Sequence, residues 1–346
     1  MDDQAFTARL EAFLASRLPE DRPLRIVQLD RSTEGFSQET FSFDVETAGG
    51  ARRQFVLKRE PLAGLLEPYD LEPEFRVLHA LSNDPLPSPP TPWFERDPAV
   101  LERSFYVMAR LPGDVPVPAP RLDGGPPVDD ADRPGLGADV VAALARLHAI
   151  DWPALGLEFL GVPAGGRDAA ARELARWERR IAASGLAVDP ALAEALCWLR
   201  RNLPETAETT LVHGDFRLGN FLVVRDDAGA ARLSGLLDWE MVHLGDPLED
   251  VAWCMSPLWR GGTPYAGALL PPEDFVAAWE AATGRTADPR RLEFYGVLAI
   301  VKMMAIMLTG LRAFRDGRTT DLRMAIFDHQ LPYLHLMLGM TRGWLG

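Results

Sequence analysis

The residue pattern of this chain changes once, near residue 110, and that change limits what the chain can fold into. Ahead of it, runs 24–30, 40–47 and 52–59 are short and carry Val, Ile, Phe and Thr, as β-strands do. Gly49-Gly50 is a hairpin signal between the second and third runs, so these two are expected to pair antiparallel. A helix is predicted next: Asp70 is placed to cap it, Pro73 suits its first turn, and Phe75, Leu78 and Leu81 share a face. Two more strands are expected at 92–94 and 104–109. Residues 112–137, rich in Pro, Gly and Asp, read as a connector. Beyond it, apolar residues recur at helical spacing over 138–150, 168–183, 190–203, 272–282, 290–314 and 321–338. A strand-rich island, 209–238, interrupts the helices. A length of 346 residues suits two units, taken as 1–110 and 138–346 with a connector at 111–137.

The island places polar residues between apolar runs. Asp215, Asn220 and Asp238 therefore fall at strand ends or on tight loops, where catalytic groups tend to sit. Asp215 and Asn220 have the D-x-x-x-x-N spacing in which the Asp accepts a hydroxyl proton and the Asn holds a magnesium ion. Asp238 ends the following hairpin strand and offers a second metal ligand. Magnesium favours a few carboxylates together with phosphate oxygens and water. Taken singly, Asp215 and Asp238 read equally well as turn residues; the ordered trio reads as a phosphoryl-transfer site.

Lysine usage points the same way. Of 36 basic residues only Lys58 and Lys302 are lysines. Lys58 follows Phe55-Val56-Leu57 in the third strand, where a compact ammonium can reach phosphates, and Glu74 in the next helix is placed to hold it. Lys302, inside an apolar helical pattern, reads as snorkelling or locally paired.

A net charge of −14, with no Lys/Arg run exceeding three residues, argues against nucleic acid and anionic membrane as partners. Cys197 and Cys254 form no disulfide framework or CxxC metal pair, and the acidic start Met1-Asp2-Asp3-Gln4 is unlike a secretory signal. The apolar run 297–311 is broken by Lys302 and too short to span a bilayer. The expectation is a cytoplasmic protein.

The motifs His213-Gly214-Asp215-Phe216-Arg217-Leu218-Gly219-Asn220, Leu237-Asp238-Trp239-Glu240 and Leu244-Gly245-Asp246-Pro247 resemble the aminoglycoside phosphotransferase-like family of small-molecule kinases. Their His-Gly-Asp-aromatic-Arg and Asp-Trp-Glu forms are most similar to the branch related to the kinase-like domain of acyl-CoA dehydrogenase fusion proteins. The resemblance runs from about residue 24 to 340. It implies an α+β, bilobal protein-kinase-like fold, with an antiparallel sheet plus helix in the N-lobe and a mainly helical C-lobe. The N-lobe binds nucleotide and the C-lobe binds substrate. It further implies ATP and Mg2+ as cofactors, with Asp215 as catalytic base, Asn220 and Asp238 as metal ligands, and Lys58 with Glu74 as the phosphate-orienting pair. Gly35, Phe36 and Ser37 fall in the nucleotide-covering loop. Met108 and Arg110 fall on the strand leading to the adenine-binding hinge. Two departures stand out: the covering loop has one glycine, and Gln38 stands where the family often has Asn. The expected activity is ATP- and Mg-dependent phosphorylation of an alcohol on a small molecule, such as a hydroxyacyl-CoA, hydroxy acid, aminoglycoside or amino alcohol.

The remaining polar residues divide between structural and functional roles. Asp246-Pro247-Leu248-Glu249 reads as a capping box, with a share for Asp246 in supporting the magnesium loop, and Asp250 reads as a first-turn residue facing the helix dipole. His213 reads as a loop brace, and Glu240 completes the Asp-Trp-Glu turn. Arg217 is placed to neutralise phosphate, to meet an anionic substrate, or to pair with a nearby carboxylate. His148, His79, His329 and His335 have no metal spacing, and Arg312, Arg315, Arg318 and Arg323 read as a solvated face, with the lining of a pocket for an anionic substrate as the alternative. Two alternatives stand beside the kinase. One is a catalytically silent nucleotide-binding regulatory module. The other is a non-haem iron oxygenase using His213, Asp215 and His243, whose usual all-β barrel does not match this helical C-terminal half.

Overall fold

The structure is a computed structural model and describes residues 2–32, 38–116, 126–206 and 208–341. Gly35, Phe36 and Ser37 lie outside the described residues. The chain divides into two compact units, Met1–Asp84 with Ser88–Leu111, and Pro85–Pro87 with Pro112–Gly346.

The first unit opens with a helix absent from the sequence reading, α1 (Asp3–Arg17), whose Asp2 cap accepts the Ala5 amide. Its apolar positions Phe6, Leu10, Phe13 and Leu14 share one buried face. Strands β1 (Arg25–Arg31), β2 (Glu39–Glu46) and β3 (Arg52–Arg59) follow, then α2 (Glu72–Leu81), β4 (Trp93–Glu95), the short α3 (Pro98–Leu101) and β5 (Phe105–Ala109). The strands form an antiparallel sheet in the order β1-β2-β3-β5-β4, and the hairpin at Gly49-Gly50 sets Thr40 opposite Lys58. Alternation along β2 and β3 sends Phe41, Phe43, Val45, Phe55 and Leu57 to the face covered by α1, where the Phe6 and Phe41 rings stack at 4.8 Å. In α2, Asp70 accepts the Glu72 amide as expected of a capping residue. The buried set is Glu74, Val77, Leu78 and Leu81, with Phe75 turned outward against Phe94.

The second unit is mainly helical. It contains α4 (Arg133–His148), α5 (Asp168–Ser184), α6 (Pro190–Arg201), and strands β6 (Thr210–Val212), β7 (Phe221–Arg225), β8 (Ala231–Leu236) and β9 (His243–Gly245). After these come α7 (Leu248–Met255), α8 (Pro272–Thr283), α9 (Pro289–Arg315), α10 (Leu322–Ala325) and α11 (Phe327–Thr341). The strands pair antiparallel as β6 with β9 and β7 with β8.

Three boundaries differ from the sequence reading. The first helix of this unit begins at Arg133, inside the expected connector, because Pro134 is a first-turn residue; Gly137 there lies against Leu270, whose Cγ would be 2.6 Å from any Cβ. The predicted helix at 321–338 is two helices, divided at Ile326. Helix α9 is longer than its apolar run: at 27 residues it has the length and hydropathy to cross a bilayer, but 83% of its most apolar window is buried within the chain. It is the core helix of this unit: α5, α6, α7, α10 and α11 pack against it, while α4 and α8 pack against each other.

Candidate active site

The two strand pairs of the second unit present the loops on which the chemistry was expected. The loop after β6 runs through His213, Gly214, Asp215 and Arg217 into a single 3₁₀ turn, Leu218–Asn220, and then into β7. That turn folds Asn220 back onto Asp215, so the four intervening residues bring the pair into contact. The Asn220 Nδ2 donates to the Asp215 Oδ2 at 2.7 Å and to its carbonyl at 2.9 Å. The other carboxylate oxygen, Oδ1, accepts from the Trp253 indole at 2.8 Å and from the Arg217 Nε at 2.9 Å. Asp215 is thus buried, with both oxygens fixed by donors. Of the three roles open to Arg217, pairing with a neighbouring carboxylate is the one seen, its guanidinium lying 4.7 Å from the Trp259 ring centroid.

Asp238 comes to the same place by a different route. Strand β8 ends at Leu236, and the next amide, Leu237, donates to the Asn220 carbonyl at 2.8 Å. Asp238 follows with φ +60°, a left-handed conformation that costs a non-glycine residue about 1–3 kcal/mol and concentrates at functional sites. Glu240 lies half-buried in the turn beyond, and Trp239 is fully buried with its ring 4.7 Å from that of His213.

Three consecutive amides of the Asp215 loop are held by side chains. The amides of His213 and Gly214 each donate, at 2.8 Å, to one oxygen of Asp250, and the Asp215 amide donates to the His213 Nδ1 at 3.2 Å. Burial pushes the His213 pKa down, against the pull of Asp250, Asp215 and Asp238. The ring is therefore neutral, and with Nδ1 accepting, its proton sits on Nε2. Asp250 is completely buried. Burial would raise its pKa, but the His148 ring 3.4 Å away and the two amides outweigh this and lower it. Gly214 has φ +80°, and a Cβ there would lie 2.6 Å from the Met241 carbonyl oxygen, so both conformation and space demand glycine.

Behind this loop lies a buried charge cluster. The Lys302 ammonium donates to the Gly214 carbonyl and pairs with Glu249 at 3.2 Å. It is neither snorkelling nor near solvent, being 1% exposed and lying 4.5 and 5.4 Å from the Trp253 and Trp177 ring centroids. His243 contacts the Met241 carbonyl through Nδ1 at 2.9 Å and Glu249 through Nε2 at 3.1 Å, with Glu173 at 3.8 Å. Burial alone would lower its pKa; the two carboxylates outweigh it and hold His243 up at about 9, so both ring nitrogens carry protons. Glu173, His243 and Glu249 lie close enough to share a metal, but two carboxylates facing an imidazolium and an ammonium are already balanced. The facial triad of His213, Asp215 and His243 is not formed, since His243 is committed to these partners. The capping-box reading of Glu249 also fails: its carboxylate faces His243 and Lys302. Asp246 does cap α7, accepting the Leu248 amide at 2.9 Å, and its carboxylate is gripped by Arg291 of α9.

In the first unit, Lys58 on β3 and Glu74 on α2 are buried 3.8 Å apart. Gln38, whose place in the covering loop was in doubt, donates to the second Glu74 oxygen at 2.7 Å and so holds the acid that faces the lysine. Met108 is buried on β5 opposite Val56, and the exposed Arg110 follows that strand, its amide donating to the Gln54 carbonyl at 3.1 Å.

The sequence model of the Phosphotransferase enzyme family matches residues 31–295, most of the chain and all of these motifs. The chain belongs to this family. Mouse acyl-CoA dehydrogenase family member 10 is 32% identical over 236 residues, which are 68% of this chain and 20% of that protein. The chain therefore spans about a fifth of that relative. Among solved structures, one assigned as an aminoglycoside phosphotransferase of Ralstonia eutropha superposes with a TM-score of 0.72 at 24% identity, covering 97% of each chain. An aminoglycoside phosphotransferase APH(4)-Ia crystallised with ADP and hygromycin B gives 0.59 at 20% identity, covering 97% of this chain and 99% of that one. The fold is thus kinase-like, an antiparallel sheet with helices in one unit and a mainly helical second unit, as the motifs implied.

The family's nucleotide chemistry calls for a divalent cation, and the residues here fit one. The Asn220 Oδ1 is buried with no hydrogen-bond partner among the described residues, which suits a hard-cation ligand, and Asp238, in its left-handed conformation, directly follows the Leu237 amide that bonds the Asn220 carbonyl. What sequence reasoning missed in this phosphotransferase is the scaffold under the loop: Asp250, His148, Trp253, Lys302, Glu249 and His243. The rarity of lysine was a usable signal for Lys302. Nothing in local spacing marks the others, because, the His243–Glu249 pair aside, their partners lie tens of residues away.

Proposed function

We propose that this protein transfers the γ-phosphoryl group of ATP, with Mg2+, to a hydroxyl group on a small molecule. The observation that carries the reading is the pairing of an oriented Asp215 carboxylate with the buried, unpartnered Asn220 Oδ1 on one rigid loop. In this reading the acceptor oxygen attacks the γ-phosphorus as the bond to the ADP bridging oxygen breaks, and the acceptor's proton passes to Asp215. Donation from Asn220, Trp253 and Arg217 sets the direction in which the carboxylate presents its lone pairs. Asn220 and Asp238 would hold magnesium, which when bound offsets the negative charge of the phosphate oxygens.

Lys58, oriented by Glu74 and Gln38, would address the α- and β-phosphates; Gly35, Phe36 and Ser37 would cover them, and the segment from Met108 to Arg110 would meet the adenine. His213, Glu240 and Asp246 support the loops, and Arg217 is available to the transferred phosphate or to an anionic acceptor. The family name of the relative makes a hydroxyacyl-CoA or a hydroxy acid the first acceptor to test, ahead of amino alcohols and aminoglycosides. The free thiols of Cys197 and Cys254 suit the reducing cytoplasm, where ATP is supplied.

The test is ATP consumption across those acceptor classes, with Asp215→Asn and Asp238→Asn in parallel. Turnover on one class, falling about 10²–10⁴-fold in Asp215→Asn with the fold intact, is expected. Full turnover by Asp215→Asn overturns the assignment of the base. Nucleotide binding with no transfer to any acceptor favours the silent regulatory module instead.

A further inference from the structure

We infer that Lys302, in the core helix α9, is a positioning residue for the Asp215 loop. The inference rests on the reading of Asp215 as the base. Lys302 reaches that base along two separate paths. Through hydrogen bonding, its ammonium holds the carbonyl of Gly214, which belongs to the peptide that leads into Asp215. The amide of Gly214, on the preceding peptide, is held by Asp250, so this residue is clamped on both sides and the backbone entering Asp215 has no freedom to turn. Through packing, the same ammonium lies 4.5 Å from the ring centroid of Trp253, whose indole N–H donates to the Asp215 Oδ1. A cation on an indole face draws electron density from the ring and makes its N–H a stronger donor. One side chain thus fixes both the backbone and the carboxylate of Asp215.

A stabilising pair alone would not require this geometry. An ion pair between Lys302 and Glu249 could be met anywhere in the core, yet the ammonium is aimed at a carbonyl of the loop itself and shared with the indole that contacts the base. Glu249 supplies the negative charge that faces this ammonium at 1% exposure.

The experiment uses the double variant Lys302→Met/Glu249→Gln, which removes the ammonium and its carboxylate together and leaves His243 facing Glu173. Two readouts are taken on the full-length chain. One is kcat and KM for ATP with the acceptor found above. The other is the Trp253 indole N–H resonance in a ¹H–¹⁵N spectrum, assigned by its loss in Trp253→Phe. The expected result is a cooperatively folded protein whose kcat falls at least about tenfold, with KM for ATP within about twofold, and whose Trp253 resonance moves. Unchanged kcat with an unmoved resonance overturns the inference, as does a loss of melting temperature alone. If the double variant does not fold, Lys302→Arg carries the same two readouts. It keeps the charge opposite Glu249 but alters the reach to Gly214, so a wild-type kcat and an unmoved resonance there also overturn the inference. The resonance is read without turnover, and Asp215→Asn tests the base separately, so failure of the anchor and failure of the reading are told apart.

Discussion

At residue scale, the group that does most to hold the candidate loop is Asp250, not the residues whose spacing announced the loop. Its two oxygens take two consecutive amides, and hydrogen bonds to a charged acceptor contribute about 1.5–3 kcal/mol each. Asp250→Ala is expected to lose about 3 kcal/mol or more of stability in urea unfolding, since two buried amides lose their acceptor. Gly214→Ala is expected to cost at least about 2 kcal/mol and to depress kcat sharply, because its Cβ cannot coexist with the Met241 carbonyl in the left-handed conformation. Wild-type stability in that variant would mean that the turn adopts another conformation. Asp215, Asn220 and Asp238 were legible because contact follows from a fixed offset and a hairpin. Asp250 was not: as a residue in the first turn of a helix it had a sufficient local explanation, and its true partners lie 36 and 37 positions earlier.

At the scale of elements, β9, α5, α7 and α9 meet in the cluster of His243, Glu173, Glu249 and Lys302, with Arg176 3.7 Å from Glu173. His243 is raised to about 9 from an ordinary 6.5. The stability it contributes is present in full below about 6.5 and is lost as pH rises through 9. For Glu173 burial would raise the pKa, but His243, Arg176, Lys302 and the Trp177 indole outweigh it and take it down to about 2 from 4.5. Its contribution is present above about 4.5 and lost as pH falls through 2. Urea midpoints measured across pH should therefore be highest near pH 4.5–6.5 with respect to this cluster. The unfolding free energy taken from the same curves should then decline by about 3 kcal/mol toward pH 9 and above. His243→Gln should flatten that alkaline decline, and an unchanged decline would remove His243 as its source. Most elements were visible in the sequence from periodicity. Helix α1 is not among the predicted elements although Phe6, Leu10, Phe13 and Leu14 have helical spacing, because Ala5, Ala8, Ala12 and Ala15 blur the edge of that apolar stripe. The predicted helix at 321–338 contains Pro332, yet the break falls at Ile326, where the short helix that Asp321 caps at its start comes to its end.

For the whole molecule, the two-unit organisation and the kinase-like fold were legible because the strand-to-helix change in pattern and the spaced motifs agree. The identity of an acceptor was not, since no local motif in the sequence marks a residue that would recognise one. A ligand that binds only the folded chain stabilises it by mass action, about 2.7 kcal/mol at a hundredfold excess over Kd. ADP with magnesium is accordingly expected to raise the melting temperature, and EDTA or Lys58→Met to abolish most of that rise. No shift with any nucleotide would remove ATP from the proposed reaction.

The two lysines have a last consequence. Lys58 and Lys302 are both buried, one in each unit. A lysine-specific protease therefore meets no exposed cleavage point on the native chain, and amine-directed labels find little beyond the α-amino group. Each scissile bond becomes available only when its own unit opens, so the two cleavages such a protease makes would time the separate openings of the two halves without any engineered reporter.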